Sequence, residues 1–182
     1  MSKLAAAILR ALGWKVSVTV PDYPKSIVCV APHTSNWDFI LGELAYSSVG
    51  RKAGFLMKDT WFVWPLGCFF RAIGGIAVPR RKKGSRPVTE VVTEKFNTSD
   101  KLTIAITPEG TRSRTAQWHT GFLRIAYQAK VPIVLGVIDA PTKRIMIEHT
   151  FDVTGDIDTD MRRIKEFYKP YTGINPDNFT TE

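Results

Sequence analysis

The sequence predicts a single α/β domain in which a central, mostly buried mixed β-sheet is flanked by helices. Short β-branched runs, typical of buried strands, alternate along the chain with segments whose apolar residues recur at helical spacing. The chain has 182 residues, enough to bury one continuous core. Hydrophobic residues make up 44% of it and charged residues 23%, which excludes a disordered or collagen-like chain.

The first predicted element is a short amphipathic helix over residues 3–14. Leu4, Ile8 and Leu12 recur at helical spacing, and charged residues such as Arg10 lie between them. A helix of this kind either lies in a membrane interface or packs on its own domain, and the sequence supports both interpretations equally. Residues 1–15 are therefore treated as a candidate interfacial helix.

A buried strand is predicted next, over residues 26–31, because this run is short, apolar and β-branched. Pro32 ends it. The following letters, HTSNWDF, form a loop that leads into a helix capped by Ser35 or Asn36 and extending to Ser48. Polar residues are thus concentrated between a strand and a helix.

Residues 54–78 are aromatic and apolar, and basic residues flank them. Aromatic rings beside cations suit a lipid interface, where amphipathic rings sit near the headgroups. Aromatic residues also form the core of many domains, and both interpretations stay open. The end of this stretch, GGIAVPR, predicts a short strand that leads to Arg80, within a basic run that more often marks a solvated face than a site.

The rest of the chain continues the alternation of helices and strands. Helices are predicted over residues 85–97, 121–130 and 157–168, and strands over residues 101–107, 131–138 and 144–149. The tail, residues 170–182, is rich in Pro, Gly, Asn and Thr and is expected to wrap the surface. No repeat or low-complexity tract divides residues 1–182, so one domain is expected.

The formal net charge of +8 indicates phosphate-bearing partners: nucleic acid, anionic lipid headgroups or phosphorylated substrates. A soluble domain that is basic without any such partner would explain the charge as well.

Cys29 and Cys68 lack the spacing of a zinc or disulfide site and are expected to be buried free thiols. No apolar run reaches the ~18 residues of a membrane-spanning helix. Because Arg10 also interrupts the N-terminal apolar stretch, a cytosolic protein, or one attached to a membrane from the cytosolic side, is expected.

The most informative segment is HTSNWD, residues 33–38. With His33 in the loop before the helix and Asp38 in its first turn, the two side chains can meet. Asp38 then fixes the imidazole tautomer and leaves the other ring nitrogen free to take a proton, as a general base does near neutral pH. Alternatively, Asp38 only complements the helix dipole, and His33 is an ordinary loop residue.

A second polar loop, PEGTRS, follows the strand predicted over residues 101–107. Gly110 permits a tight turn, Arg112 offers a bidentate grip on phosphate, and Thr111 adds a hydroxyl donor. Loops at strand ends are where open α/β sheets build their sites. Glu109 fits beside a phosphate only if it positions Arg112 or a glycerol hydroxyl. The alternative is an ordinary polar turn.

Together these segments resemble the glycerolipid acyltransferase family, which includes the 1-acylglycerol-3-phosphate acyltransferases. HTSNWD matches the family's H-x4-D motif at His33 and Asp38. GGIAVPR resembles the second block, with Arg80 in the arginine position, PEGTRS matches the third, and VPIVLGVI resembles the fourth, hydrophobic block. The blocks occur in the family's order, and the resemblance covers residues 26–138, the motif-bearing core.

The resemblance implies a glycerolphosphate acyltransferase-like fold and direct acyl transfer without an acyl-enzyme. His33 would be the general base on the acceptor hydroxyl, and Asp38 would orient it. The acceptor's phosphate and glycerol end would be bound by Arg80, Glu109, Gly110, Thr111 and Arg112.

The implied donor is acyl-CoA or acyl carrier protein. The implied acceptor is a lysophospholipid, in the first place 1-acyl-sn-glycerol-3-phosphate, which would give phosphatidic acid. No metal or other cofactor is implied. The expected location is the cytoplasm of a bacterium, peripheral on the inner face of the cell membrane, whose anionic surface is an expected partner. Nucleic acid is not expected, since no nucleic-acid motif is recognised.

Two departures from the family's pattern leave the acceptor open. Pro79 precedes Arg80 where the family often has a polar residue, and His119 stands where relatives commonly carry lysine. Another acceptor, for example an amino-acid-containing lyso-lipid, therefore stays an alternative. In a different class, the chain would be a non-catalytic basic module for anionic membrane or nucleic acid. His119 and His149 lack partners at zinc-site spacing and are not expected to bind metal.

Overall fold

Strands from both halves of the chain form one sheet in the computed structural model, which describes residues 2–78 and 86–182. The strands are β1 (Lys15–Val18), β2 (Lys25–Ala31), β3 (Gly54–Lys58), β4 (Gly75–Val78), β5 (Leu102–Ile106), β6 (Ile133–Asp139) and β7 (Arg144–Phe151). The helices are α1 (Lys3–Ala11), α2 (Asn36–Ser48), α3 (Leu66–Ala72), α4 (Val88–Thr98), α5 (Gly121–Ala129) and α6 (Ile157–Tyr168). Short 3-10 turns lie at Asp59–Trp61 and Pro176–Asn178.

The strand order in the sheet is β1-β7-β6-β2-β5-β3-β4. Strands β6 and β7 pair antiparallel, whereas the other neighbours pair parallel. The predicted mixed sheet of an α/β domain is therefore confirmed. Because β2 to β6 run in one direction, their carboxyl ends meet at the same edge of the sheet. The loops that follow them are thus brought together where α/β sheets build their sites.

Alternation of side chains along the central strands gives the sheet two apolar faces. Ile27 and Cys29 of β2 belong to the cluster formed with α4, α5 and α6, whereas Val28 belongs to a cluster with Tyr46 of α2. Leu9 of α1 packs on this second face as well. Since β2 is covered on both sides, its sequence is a continuous apolar run rather than an alternating one.

Most predicted elements are confirmed, with ends that differ by a few residues. Strand β2 and helices α2 and α6 lie where their patterns place them. The helix predicted over residues 3–14 ends at Ala11 because the chain turns at Gly13, whose φ is 79°. It packs on α2 through Ala5 and Leu9, while Leu4 and Leu12 stay exposed on its other side.

Elements β1, β3 and α3 were not predicted. Strand β1 has 4 residues, which is too short for a convincing period. Strand β3 and helix α3 lie in the stretch of residues 54–78, where nearly every residue is apolar or aromatic and neither the strand nor the helix period stands out. The local pattern therefore could not divide this stretch into elements.

The core interpretation of residues 54–78 is wrong for the segment that joins β3 and β4. Trp64 there is 85% exposed, and Trp61 and Phe69 are exposed as well. Cys68 of α3 was expected to be buried and is exposed, whereas Cys29 is buried as expected. The reason is that this segment joins two strands at the edge of the sheet and buries only its inner residues.

Within the described ranges, none of the helices combines the length and the apolar character that a membrane crossing requires.

Candidate active site

The two polar loops predicted to carry chemistry meet at the carboxyl edge of the sheet. Strands β2 and β5 are parallel neighbours, so the loop after Ala31 lies beside the loop after Ile106. A hydrogen bond joins the two loops, because the backbone N–H of His33 donates to Glu109 Oε1 at 2.8 Å. The register of the sheet thus places the HTSNWD and PEGTRS motifs side by side although they are distant in sequence.

His33 faces Asp38, with 3.4 Å between His33 Nδ1 and Asp38 Oδ2. Asp38 is almost fully buried, and its Oδ2 accepts the backbone N–H groups of Thr34 and Ser35 at 2.7 Å each. These bonds hold the carboxylate in one orientation. The separation from His33 exceeds a normal hydrogen bond, and such contacts in a free active site often tighten when substrate binds.

The same Asp38 also caps helix α2. Ser35 is the N-cap residue, its hydroxyl accepts the Trp37 N–H at 3.2 Å, and the Asp38 carboxylate reaches back to the N-cap N–H in a capping box. The predicted position of Asp38 in the first turn of the helix is therefore confirmed, and its role as a partner of His33 stays a prediction. Helix formation itself fixes the carboxylate opposite the imidazole.

Glu109 is 5% exposed and carries a second buried carboxylate into the site. One of its oxygens accepts from His33, and the other, Oε2, is buried and has no hydrogen-bond partner in the part of the chain that the structure describes. Burial raises the pKa of Glu109 from 4.5 to about 7, and the hydrogen bond from the His33 N–H partly opposes this rise. A proton on this carboxyl near neutral pH would give Oε2 a hydrogen to donate.

The PEGTRS loop turns at Gly110, whose φ is 64°, and exposes Thr111 and Arg112. The imidazole of His119 lies against this glycine, and a Cβ built on Gly110 would overlap His119 Cδ2. The backbone N–H of His119 also donates to Pro108 O at 2.7 Å. The positive φ thus favours glycine here, and a larger residue would also have to displace the His119 ring.

His119 is a site residue that the sequence reasoning noticed only as a departure from the family's pattern. It lines two cavities that meet at the PEGTRS loop. Its position shortly after that loop is the sequence signal that would have assigned it. Of the other predicted site residues, the structure brings His33, Asp38 and the Glu109–Arg112 loop together, while Arg80 lies outside the described residues.

A largely apolar cavity of about 1020 Å³ opens at this edge, and its lining comes from both faces of the sheet: from Val28 and Tyr46 on the α2 side and from Phe122 and Ile125 of α5 on the other. At the site end it is lined by His33, Asp38, Pro108, Gly110, Arg112 and His119. On the α2 side, the walls are made by Val28, Val30, Phe39, Ile40, Gly42, Glu43, Tyr46, Phe55, Gly136, Ile138, Ile145 and Ile147. Burial raises the pKa of Glu43 above the ordinary value for a glutamate. The size and the lining suit a long apolar ligand.

A second, smaller cavity of about 530 Å³ lies on the other side of the PEGTRS loop. Its lining is more polar and includes Thr111, Thr115, Gln117, His119 and Lys165. Hydroxyl, amide and cationic groups of this kind suit a phosphate or another polar headgroup.

The C-terminal tail supports the HTSNWD loop, which sequence reasoning did not foresee. The backbone N–H of Asn175 donates to Thr34 Oγ1 at 3.0 Å, and Asn175 Nδ2 donates to Thr34 O at 2.8 Å. Nearby, Gly173 packs so closely that a Cβ would lie 2.6 Å from Thr34 Oγ1. The predicted surface tail thus reaches the site through contacts with no local sequence signature.

In the ranges that the structure describes, no group of three or more His, Cys, Asp or Glu residues is arranged to hold a metal ion.

The chain is similar to known proteins in its fold and in a family model. The crystal structure of the 1-acyl-sn-glycerophosphate (LPA) acyltransferase, PlsC, from Thermotoga maritima has a similar fold, with a TM-score of 0.57 and 16% sequence identity. The match covers 92% of this chain and 76% of that chain, and at this identity it supports the fold alone. No curated protein sequence matches the chain significantly. The family model described as Acyltransferase matches residues 15–138, well over half of the chain, and the protein therefore belongs to the acyltransferase family.

Proposed function

We propose that this protein is an O-acyltransferase that moves a fatty acyl group from acyl-CoA or acyl carrier protein to the free hydroxyl of a lysophospholipid. The proposed acceptor is 1-acyl-sn-glycerol-3-phosphate, which gives phosphatidic acid. One observation carries the proposal: the His33–Asp38 pair, 3.4 Å apart, lies at the end of an apolar cavity of about 1020 Å³. A general base beside space for an acyl chain is what this transfer requires.

In the proposed reaction His33 Nε2 takes the proton of the acceptor hydroxyl as its oxygen attacks the thioester carbonyl. The new C–O ester bond forms, the C–S bond breaks, and the departing thiolate receives the proton from His33. Asp38, held by the Thr34 and Ser35 N–H groups, fixes the tautomer and stabilises the imidazolium that forms in between. No acyl-enzyme is needed, because the acceptor itself is the nucleophile.

The acceptor's phosphate and glycerol end is assigned to the PEGTRS loop. Arg112 supplies a bidentate donor, and Thr111 supplies a hydroxyl, at positions left exposed by the turn at Gly110. Glu109 holds the His33 loop in register and leaves Oε2 free for a glycerol hydroxyl. The assignment of Arg80 to the same phosphate stays a prediction, since that residue lies outside the described ranges.

An acyl chain is assigned to the α2 side of the apolar cavity, because the wall there is formed largely by aliphatic and aromatic side chains. The proposed acceptor, a lysophospholipid, and the proposed product, phosphatidic acid, are both amphiphiles, so the protein is expected to work at a membrane surface. The net charge of +8 favours an anionic one, and a peripheral position on the inner face of the cell membrane is proposed.

The proposal is tested by thiol release from palmitoyl-CoA in the presence of lysophosphatidic acid. Wild type is expected to release CoA and form diacylated product, and His33→Ala is expected to lower the rate about 10²- to 10⁴-fold, the usual contribution of a general base. His149→Ala is the matched control, because His149 is not among the residues that line the cavity and packs against Phe167 of α6 instead. Equal rates for wild type and His33→Ala would disprove the mechanism.

Other outcomes identify the alternatives. Transfer to an amino-acid-containing lyso-lipid, but not to lysophosphatidic acid, would correct the acceptor and leave the chemistry in place. Silence of wild type across a panel of lyso-lipids, with both CoA and carrier-protein thioesters, would favour a non-catalytic binding module.

A further inference from the structure

An exposed apolar surface lies on the segment that joins β3 and β4. Six large side chains on it are at least 40% exposed: Trp61, Val63, Trp64, Leu66, Phe69 and Ile73. We propose that these residues, the aromatic patch, are the surface by which the protein docks on an anionic phospholipid bilayer. The inference goes beyond the reaction itself and rests on the proposed function only in taking the bilayer as the source of the lipid substrates.

Packing within the segment holds the aromatic patch in place. Phe70 packs beneath it. The centroid of the Phe70 ring lies 6.3 Å from that of Trp61, 6.1 Å from that of Phe62 and 5.6 Å from that of Phe69. Gly67 is buried so tightly that a Cβ would lie 2.5 Å from the Phe62 carbonyl oxygen. Inner aromatic residues therefore fix the segment, and the outer ones are held toward solvent. Contiguous exposed apolar residues of this kind mark an interaction surface.

The composition of the patch suits a bilayer. Its two exposed tryptophans have apolar rings with a polar N–H, the combination that lies at the boundary between headgroups and acyl chains. Basic residues adjoin it: Arg71 lies over the Phe62 ring, with 5.5 Å from Cζ to the centroid, and Lys58 ends β3. Cations beside interfacial aromatic residues match anionic headgroups, as they do in interfacial helices.

The patch also lies close in the chain to a wall of the apolar cavity. Leu56 and Met57 line the cavity, and the patch segment begins directly after their strand, β3. Across from β3, Phe39 of α2 lines the same cavity, is 44% exposed, and packs edge-on against Phe55 with centroids 4.9 Å apart. We expect docking through the patch to bring this wall of the cavity, with Phe39 and β3, near the bilayer.

The test compares binding of wild type and Trp61→Ser/Trp64→Ser to phosphatidylcholine vesicles with and without phosphatidylglycerol. Each tryptophan withdrawn from the interface is expected to weaken binding about tenfold, since partial burial of a large apolar side chain contributes on this scale. Trp61→Phe/Trp64→Phe is the matched control and is expected to bind within a few-fold of wild type, because it keeps the apolar area. Phosphatidylglycerol is expected to strengthen the binding of wild type.

A second variant addresses the other exposed apolar surface. Leu4→Ser/Leu12→Ser removes two exposed leucines from α1. Unchanged vesicle binding by Trp61→Ser/Trp64→Ser would overturn the proposal. Loss of binding by the Leu4→Ser/Leu12→Ser variant alone would instead assign the docking surface to α1. Quenching of tryptophan fluorescence by brominated lipids, largely lost in Trp61→Phe/Trp64→Phe, would support the proposal, and absence of quenching in wild type would contradict it.

Activity separates this proposal from the proposed function. Trp61→Ser/Trp64→Ser is expected to keep the wild-type rate with a short-chain, monomerically dispersed acceptor and to lose rate when the acceptor is presented in vesicles. If wild type binds vesicles but transfers no acyl group in either assay, the proposed function fails and the docking surface stands. If the variant matches wild type in both assays, the docking surface fails and the proposed function stands.

Discussion

The His33 backbone N–H donates to Glu109 Oε1 at 2.8 Å and ties the loop after β2 to the loop after β5. Two residues that are far apart in sequence thus fix each other at the point where the proposed base meets the proposed acceptor loop. Glu109 is only 5% exposed, and its second oxygen, Oε2, has no hydrogen-bond partner among the described residues. The bond therefore couples the position of the histidine loop to the protonation of a buried carboxyl.

The first prediction follows from the raised pKa of Glu109. Its carboxyl has a pKa of about 7 in the folded protein against 4.5 ordinarily, so the folded state binds the proton more tightly. The stability this group contributes is fully present below pH 4.5 and is lost as the pH rises through about 7. Across this pH range the free energy of unfolding is expected to fall by about 3 kcal/mol. Glu109→Gln keeps an acceptor for the His33 N–H without this dependence.

We therefore expect Glu109→Gln to become more stable relative to wild type as the pH rises from 4.5 to about 7. Above that pH the difference in unfolding free energy is expected to level off. Denaturant unfolding at several pH values measures it. A constant difference across the range would show that the carboxyl titrates normally in the folded protein.

A second prediction separates the two tasks of Asp38. Asp38→Asn keeps an oxygen for the Thr34 and Ser35 N–H groups but loses the charge that stabilises an imidazolium. We expect kcat to fall by about 10²-fold or more, with a loss of unfolding free energy of only about 1 kcal/mol. Asp38→Ala, which also removes the cap, is expected to lose more stability at a similar kcat. Full activity in folded Asp38→Asn would assign Asp38 to helix capping alone.

Local sequence patterns were sufficient for part of this site. Ser35 and Asp38 could be placed at a helix start because capping depends on residues close in sequence, and the strand before Pro32 was evident from its β-branched run. The bond from Asn175 to Thr34 and the packing of His119 on Gly110 depend on how distant segments meet, which no local pattern encodes. The exposure of Trp64 likewise depends on which strands form the sheet edge.

A third prediction concerns the length of the acyl chain. Gly42 lies in α2 on the cavity wall, and a Cβ there meets nothing within 4 Å. Gly42→Leu would project into the cavity, and we expect kcat/KM for palmitoyl substrates to fall about tenfold or more relative to octanoyl substrates. Gly42→Ala is the control: it is expected to keep the chain preference and to stabilise the helix by about 1 kcal/mol. Donor and acceptor chains are varied separately, and an unchanged preference in both series would place the chain elsewhere.

The last prediction addresses the tail. Asn175 is exposed, so its removal opens no cavity, yet its amide Nδ2 holds the carbonyl of Thr34 at 2.8 Å, next to His33. Asn175→Ala would free that carbonyl and loosen the loop that presents the imidazole. Because a loss of about one neutral hydrogen bond lowers stability by only about 1 kcal/mol, whereas catalysis needs the base within hydrogen-bond reach, we expect kcat to fall about tenfold with a small change in melting temperature.

Asp177→Ala is the matched control for Asn175→Ala, since Asp177 is an exposed residue of the same tail and makes no contact with the loop among the hydrogen bonds of the described residues. It is expected to leave kcat and KM unchanged. The steady-state readout separates positioning from folding: a positioning role lowers kcat at a constant fraction of folded enzyme, whereas a purely structural role lowers the active fraction and leaves kcat per folded molecule intact. Circular dichroism of the assayed sample gives the folded fraction and decides between them, and unchanged kcat per folded molecule would mean that the tail only stabilises the fold.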